Sequence, residues 1–310
     1  MTDLTRLAEW TVPPDEIDYI NHRSTLFYAL RSNAGALQLV EGLAGGPEAL
    51  AAAGLGLAVV DEHTLFRREQ RLDAPLTLAG EVIAADAGAI GVHAEMANAA
   101  TGELAATFRL QVQPQRRPDR APASIPAAWL EAAAARRIEP PARSHPRSLP
   151  LERMGAELGV ADFARTGVAS HHRREIAAEA CDAEGFLAPR RPKLTWTQDY
   201  VSRSVMDQVW GCCPGFVWPA LEKRALTLRP VRQGDVLESY EALLSVSHKV
   251  MHSGLWVFEA RSGALVSVTH QVNVFFSLET RRSLDMPLEI RELLDGLAQP
   301  ELLAPASQAS

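Results

Sequence analysis

Two aspartates in this chain stand immediately before segments with helical periodicity. Asp18 opens the run Asp18-Tyr-Ile-Asn-His22, and Asp182 opens the run Asp182-Ala-Glu-Gly-Phe186. The unpaired N–H groups at a helix N-terminus can stabilise an oxyanion, and a carboxylate beside them can activate water or attack a carbonyl carbon. This pairing suits acyl chemistry without a metal. An aspartate before a helix is also well suited to capping the helix or closing an Asx turn, so both interpretations stay open.

The two aspartates belong to halves of similar layout, which indicates an internal duplication. In each half a short strand leads to the aspartate turn, a helical stretch follows, and three or four runs of strand character come last. The helical stretches cover residues 25–43 and 194–210. The distances in sequence between equivalent residues are nearly constant, at 164 for Asp18 and Asp182, 160 for Glu62 and Glu222, and 161 for Gly102 and Gly263.

Proline density separates the two halves. Eight of the 20 prolines lie between Pro114 and Pro150, together with seven arginines. Proline blocks regular structure and suits a linker on a surface. We therefore predict a first domain at 1–115, a linker with short helices at 116–167, a second domain at 168–298 and a tail at 299–310.

Composition excludes several classes of protein. A net charge of −7 argues against a nucleic-acid binder, which would carry a basic domain. Three cysteines, two of them adjacent, form neither a disulfide framework nor a zinc pair. No run of 18 apolar residues and no basic, apolar leader occurs, so we predict no membrane span and a cytoplasmic location.

The two turns resemble a known family. The run from Val12 to His22 is similar to the strand-to-helix turn of hotdog thioesterases of the 4-hydroxybenzoyl-CoA thioesterase type, where the pattern D-x-x-G-H recurs. The run from Cys181 to Leu187 resembles the same turn, and the strands that follow the helices, with Glu62-His63 and Glu222-Lys-Arg, are similar too. The resemblance covers both halves without the linker. It implies an α+β double hotdog, in which two antiparallel sheets each wrap around a long helix.

Each turn departs from the family pattern at one position. Asn21 stands where the family has glycine, whereas His22 is kept; Gly185 is kept, whereas Phe186 replaces histidine. The resemblance implies that Asp18, or Asp182 in the other half, is the general base or nucleophile.

The resemblance also implies the rest of the site. The N–H groups at Asn21–Arg23 would polarise the carbonyl, and His22 would orient the thioester. Glu222 or Glu62 would be an assisting carboxylate from the other half. The predicted substrate contacts are Asn21, Arg23, Gly185 and Phe186.

The implied activity is hydrolysis of an acyl-CoA or acyl-carrier-protein thioester, with no cofactor beyond the CoA that enters with the substrate. A non-catalytic acyl-thioester-binding protein is one alternative. A hotdog enoyl-CoA hydratase or dehydratase is another, although Asp18-x-x-x-His22 lacks the glycine and proline of its G-D-x-N-P-x-H-like turn. Release of free thiol against hydration of enoyl-CoA distinguishes the three. We expect a monomer or a homodimer of such fused pairs.

Other polar groups give weaker signals. His171-His172 and the pair His248 and His252 invite a metal, but no HExxH glutamate follows, so we predict no metal site. No glycine-rich nucleotide motif occurs. The cluster Arg190-Arg191-Pro-Lys193 suits both a CoA phosphate contact and a solvated helix entry.

Overall fold

The computed structural model describes residues 4–18, 20–149, 154–188 and 213–303. The chain divides into two compact units, Met1–Pro146 and Arg147–Ser310, here called unit 1 and unit 2. Each unit contains one large antiparallel sheet, so the predicted α+β class is confirmed. Among the helices that the structure describes, none is long and apolar enough to cross a membrane.

Unit 1 is a five-stranded sheet with a long helix against it. The strands follow the order β1-β3-β4-β5-β2, and every neighbouring pair is antiparallel. Its elements are β1 Thr5–Thr11, α1 Thr25–Leu43, α2 Pro47–Ala52, β2 Leu55–Phe66, β3 Pro75–Ala85, β4 Ile90–Asn98, β5 Leu104–Arg116 and α3 Ala127–Arg136.

The inner face of this sheet, the one against α1, is apolar because alternate residues of each strand are apolar. The inner-face residues are Leu76, Leu78 and Val82 on β3, Val92, Ala94 and Met96 on β4, and Ala106, Phe108, Leu110 and Val112 on β5. All of these side chains are buried in a single core with Ala36, Leu39 and Val40 of α1. Their burial on one side fixes the strand register, because a slip of one residue would expose the whole set.

Unit 2 repeats the topology of unit 1. Its large sheet has the order β6-β9-β10-β11-β8, which matches β1-β3-β4-β5-β2 strand for strand. The predicted internal duplication is therefore confirmed, whereas the predicted helix at 194–210 lies outside the described residues. The elements of unit 2 are α4 Val160–Thr166, β6 Ser170–Glu175, β7 Phe216–Val217, β8 Ala220–Thr227, β9 Val236–Val246, β10 Val250–Glu259, β11 Ala264–Val274, β12 Phe276–Ser277, β13 Arg282–Ser283 and α5 Leu288–Asp295. Strands β13, β12 and β7 form a separate small sheet.

The segment predicted as a surface linker, 116–167, is divided between the two units. Helix α3 begins directly after Pro126 and buries Trp129 and Ala133 in the core of unit 1. Helix α4 places Phe163, fully buried, among the aromatic rings of Tyr240 and its neighbours in unit 2. The prolines keep the helices short, but the large apolar side chains between them pack into the cores.

Substitution by alanine is expected to have opposite effects on stability at two glycines of unit 1. A Cβ at Gly80 would lie 2.8 Å from the carbonyl oxygen of His93 on the next strand. A backbone atom of a paired strand cannot shift to relieve this contact without disturbing the strand pairing. A Cβ at Gly42, on the exposed side of α1, would meet no atom within 4 Å. We expect Gly80→Ala to lower the free energy of unfolding by about 1–3 kcal/mol. Gly42→Ala should raise it by about 0.5–1 kcal/mol because glycine is a poor helix former. Urea unfolding of both variants tests this, and equal effects at the two positions would contradict the packing.

Candidate functional site

The Asp18 turn is closed by the aspartate itself. The Asp18 N–H donates to the carbonyl of His22 at 2.9 Å, and the Asn21 N–H donates to the carbonyl of Asp18 at 3.0 Å. One carboxylate oxygen of Asp18, Oδ1, accepts the N–H groups of Ile20 at 3.1 Å and His22 at 3.4 Å. This is an Asx-type turn, in which a short carboxylate replaces a backbone acceptor.

The turn at Asp182 has the same hydrogen bonds. Oδ1 of Asp182 accepts the N–H groups of Glu184 and Phe186 at 2.9 and 3.0 Å, and the Asp182 N–H donates to the carbonyl of Phe186 at 2.7 Å. Gly185 takes a φ of 79°, and Asn21 takes a φ of 61° at the equivalent position. Asparagine is among the few residues that tolerate this left-handed conformation, which explains why it can replace the family's glycine.

His22 gives the first turn a second polar group. Its Nδ1 lies 3.0 Å from Oδ2 of Asp18, the oxygen that the turn leaves free. The two atoms are close enough for an ion pair, but the angle at Nδ1 does not meet the geometry of a hydrogen bond. The residue is 8% exposed. In unit 2 the equivalent Phe186 lies beneath the Arg232 guanidinium, 4.5 Å from ring centroid to Cζ, and has no nitrogen to offer.

The predicted oxyanion donors are already engaged. The N–H groups of Asn21 and His22 donate within the turn, and the Arg23 N–H donates to the carbonyl of Gln70 at 2.7 Å. The expectation that Asn21–Arg23 would polarise a carbonyl is therefore corrected. In the first turn of α1, the N–H groups of Thr25 and Leu26 donate no hydrogen bond within the described part of the chain. They are the donors that a helix N-terminus leaves free.

Arg23 is an internal residue and not a substrate contact. Its side chain is fully buried, and its Nε donates to Oε2 of Glu16 at 2.5 Å. Nη2 donates to the carbonyl of Phe27 at 2.9 Å, and the guanidinium lies over the ring of Tyr28. Burial lowers the pKa of Arg23, and Glu16 opposes that shift. Sequence reasoning missed Glu16, because no motif links a residue before the turn to one after it.

The two predicted assisting glutamates are not equivalent. Glu62 stands opposite Leu110, whereas Glu222 stands opposite Val272. Strand β5 corresponds to β11 at an offset of 161 residues, so that Leu110 is equivalent to Gln271. Glu62 pairs with Leu110, and Lys223 pairs with Gln271. The register therefore aligns Glu62 with Lys223, and Asp61 with Glu222. An offset that is wrong by one residue assigns a side chain to the opposite face of the sheet.

The contacts of the two glutamates also differ. Glu62 lies on the inner face of unit 1 and accepts a hydrogen bond from the Thr64 hydroxyl at 3.0 Å. Glu222 is 2% exposed, and its oxygens accept the N–H groups of Arg147, Ser148 and Leu149 at 2.8–3.2 Å. Among the described residues of unit 1, no hydrogen bond or ion pair joins Asp18 to Glu62.

His252 pairs with a histidine on the neighbouring strand. Its Nε2 lies 3.0 Å from Nδ1 of His270, and His248 instead contacts Arg291. Burial lowers the pKa of His252 to about 4 and that of His270 to about 3. Within the described ranges no group of three possible metal ligands occurs. His270 is buried against Trp256 in unit 2, whereas His248 is exposed. The cluster 190–193 lies outside the described residues.

Residues 12–133 match the family described as the Thioesterase-like superfamily. This match lies within unit 1. The chain is a tandem hotdog protein. The resemblance of the run from Val12 to His22 to this superfamily is thereby confirmed. No curated protein matches the sequence.

Solved structures share the fold of this tandem hotdog protein across most of its length. A 12:0-ACP thioesterase from Umbellularia californica is 10% identical, with a TM-score of 0.66 over 88% of this chain and 94% of its own. A protein from Lactobacillus plantarum named as an oleoyl thioesterase is 11% identical, with a TM-score of 0.64 over 93% and 98%. An acyl-ACP thioesterase from Bacteroides thetaiotaomicron is 10% identical, with a TM-score of 0.57 over 86% and 96%. At these identities the likeness concerns the fold.

The histidine pair predicts a loss of stability on mild acidification. Between the ordinary pKa of 6.5 and the folded values of about 4 and 3, the unfolded chain binds protons that the folded chain refuses. Stability therefore falls as pH falls from 6.5, by up to about 1.4 kcal/mol per pH unit for each histidine. We expect His252→Asn/His270→Asn to flatten this dependence. The measurement is urea unfolding at pH 7.5 and 5.0, with His145→Gln, an exposed residue, as control. An unchanged slope in the double variant would refute the prediction.

Proposed function

We propose that this chain hydrolyses acyl thioesters at the Asp18 turn of unit 1. The observation that carries the proposal is the Asp18–His22 pair beside the free first-turn N–H groups of α1. A thioester carbonyl needs a base for the attacking water and donors for the developing oxyanion, and this turn offers both.

In the mechanism that we propose, Asp18 orients His22. Oδ1 of Asp18 is held by two backbone N–H groups, and Oδ2 faces Nδ1 of the imidazole. A carboxylate that accepts a hydrogen bond from the Nδ1–H group holds the proton on Nδ1 and leaves Nε2 as the free base. This arrangement favours His22 as the general base over Asp18, which the resemblance implies as general base or nucleophile.

The reaction then has two steps. Nε2 of His22 removes a proton from water as its oxygen attacks the carbonyl carbon, and the oxyanion is stabilised by the N–H groups of Thr25 and Leu26. The intermediate collapses by breaking the C–S bond, and the imidazolium returns the proton to the departing thiolate. The products are a free acid and a thiol. Preorganised donors of this kind contribute about 3–4 kcal/mol each in other enzymes.

Unit 2 is the weaker candidate for this chemistry. Asp182 makes the same turn, but Phe186 cannot accept a proton, and Glu222 is occupied by three backbone N–H groups. We therefore assign Asp182 and Gly185 to the fold of the turn. Phe186, which is 4% exposed, packs in that unit and is not a substrate contact in this proposal.

The substrate that we propose is a fatty acyl thioester of CoA or of an acyl carrier protein. Two full-length structural neighbours are named for acyl-ACP and one for an oleoyl thioester. An acyl-CoA series of increasing chain length with thiol detection identifies the acyl group, and the matching acyl-carrier-protein substrates identify the thiol. Hydration of enoyl-CoA without thiol release would indicate the hydratase instead.

The pair of isosteric changes Asp18→Asn and Asp182→Asn tests which turn works. We expect Asp18→Asn to lower kcat at saturating acyl-CoA by about 10²–10⁴-fold, because an amide cannot hold the tautomer that leaves Nε2 basic. Asp182→Asn is the matched control, since it changes the same atom in the same turn of unit 2, and it should keep near-full turnover. If both variants keep full turnover, neither aspartate serves catalysis. If only Asp182→Asn loses turnover, the working turn is in unit 2.

A further inference from the structure

The two aspartate turns form an internal comparison. They share every backbone hydrogen bond of the turn, and their bridges pair Ile17 with Arg23 and Cys181 with Leu187. The N–H groups of Arg23 and Leu187 donate to the equivalent carbonyls of Gln70 and Val231, at 2.7 and 2.9 Å. The side chains that differ between the two turns are therefore not required for the backbone conformation of the turn.

Three of the side chains that differ between the turns are polar or charged in unit 1 and apolar in unit 2. Where unit 1 has Glu16, His22 and Arg23, unit 2 has Ala180, Phe186 and Leu187. Ala180 and Leu187 pack against the apolar cluster that contains Ile176 and Val231. The turn of unit 2 thus has apolar residues in place of the ion pair, and it also has phenylalanine in place of the histidine.

The hydrogen-bonded backbone of the turn does not require the ion pair. Taking two charges out of water is costly, and apolar residues of similar size are often as stabilising as a buried ion pair. Unit 2 shows that alanine and leucine at these positions form the same turn.

The contacts of the pair show what it fixes. Glu16 precedes the turn and Arg23 follows it, so their 2.5 Å hydrogen bond ties the two ends together. Arg23 also donates to the carbonyl of Phe27 in the first turn of α1, and Arg31, one helical turn further along, donates to Oε1 of Glu16 at 3.1 Å. Glu16 and Arg23 thereby connect the turn that carries His22 to the helix that carries the free N–H groups.

We propose that Glu16 and Arg23 are positioning residues that hold the Asp18–His22 pair in register with the N-terminus of α1. This inference rests on the proposed function of the Asp18 turn. A misplacement of the base relative to the oxyanion donors lowers the rate of the chemical step without a comparable loss of substrate binding.

The test gives unit 1 the residues of unit 2. In the full chain, Glu16→Ala/Arg23→Leu removes both charges together, so no unpaired charge stays buried. We expect a melting temperature close to that of the parent, a kcat about 10–100-fold lower and a KM changed less than about threefold. The matched control is Glu81→Ala/Arg136→Leu, which removes another carboxylate–arginine pair of unit 1, with bonds of 2.8 and 3.0 Å. Its kcat should match that of the parent.

Each outcome decides the proposal. A folded double variant with the parent kcat overturns it, and so does an equal loss of kcat in the control pair. If the double variant fails to fold, Arg23→Lys replaces it, since lysine keeps the charge but cannot bridge Glu16 and Phe27 with one fork. A folded Arg23→Lys with the parent kcat then overturns the proposal. The Asp18→Asn variant separates the two ideas, because full turnover there rejects the site itself, whatever the ion pair does.

Discussion

The hydrogen bonds from backbone N–H groups to Oδ1 of Asp18 are the interaction on which the candidate site depends. They close a turn of five residues and force Asn21 into a left-handed conformation. They also leave Oδ2 as the one oxygen that can face His22. In the mechanism that we propose, a structural role and a chemical role are divided between the two oxygens of one carboxylate. The choice between an Asx turn and a functional aspartate, which the sequence leaves open, is therefore not exclusive.

Comparison of the two turns distinguishes the residues that form the turn from those that we assign to the proposed chemistry. Unit 2 keeps the aspartate, the left-handed residue and the backbone bonds, and it lacks the imidazole and the buried ion pair. Elsewhere in the molecule, buried charges stabilise segments that cover the sheets. Glu95 shows this in unit 1: burial alone would raise its pKa, but hydrogen bonds from His93 and Arg143 prevail and lower it to about 2. A buried ionisable group in this chain is thus no sign of a site by itself.

Local patterns predicted the fold and the aspartate turns, because strand alternation and turn residues are short-range signals and the repeat shows each of them twice. The pairing of Glu62 with Glu222 was wrong because it depended on the exact offset between strands. A register irregularity between Val59 and Asp61 in β2 shows how locally that offset is set. The Glu16–Arg23 pair and the burial of Trp129 could not be predicted, since both depend on contacts that the fold brings together.

The most direct measurement of the central claim is the turnover of His22→Phe, which gives the first turn the residue that the second turn already carries. Unit 2 shows that a phenylalanine is compatible with the turn, so the variant should fold with an unchanged melting temperature. At saturating acyl-CoA we predict a kcat at least about 10²-fold below that of the parent, because the base is gone while the N–H donors remain. A folded variant with the parent kcat would show that the imidazole of His22 takes no part in the reaction and would contradict the account.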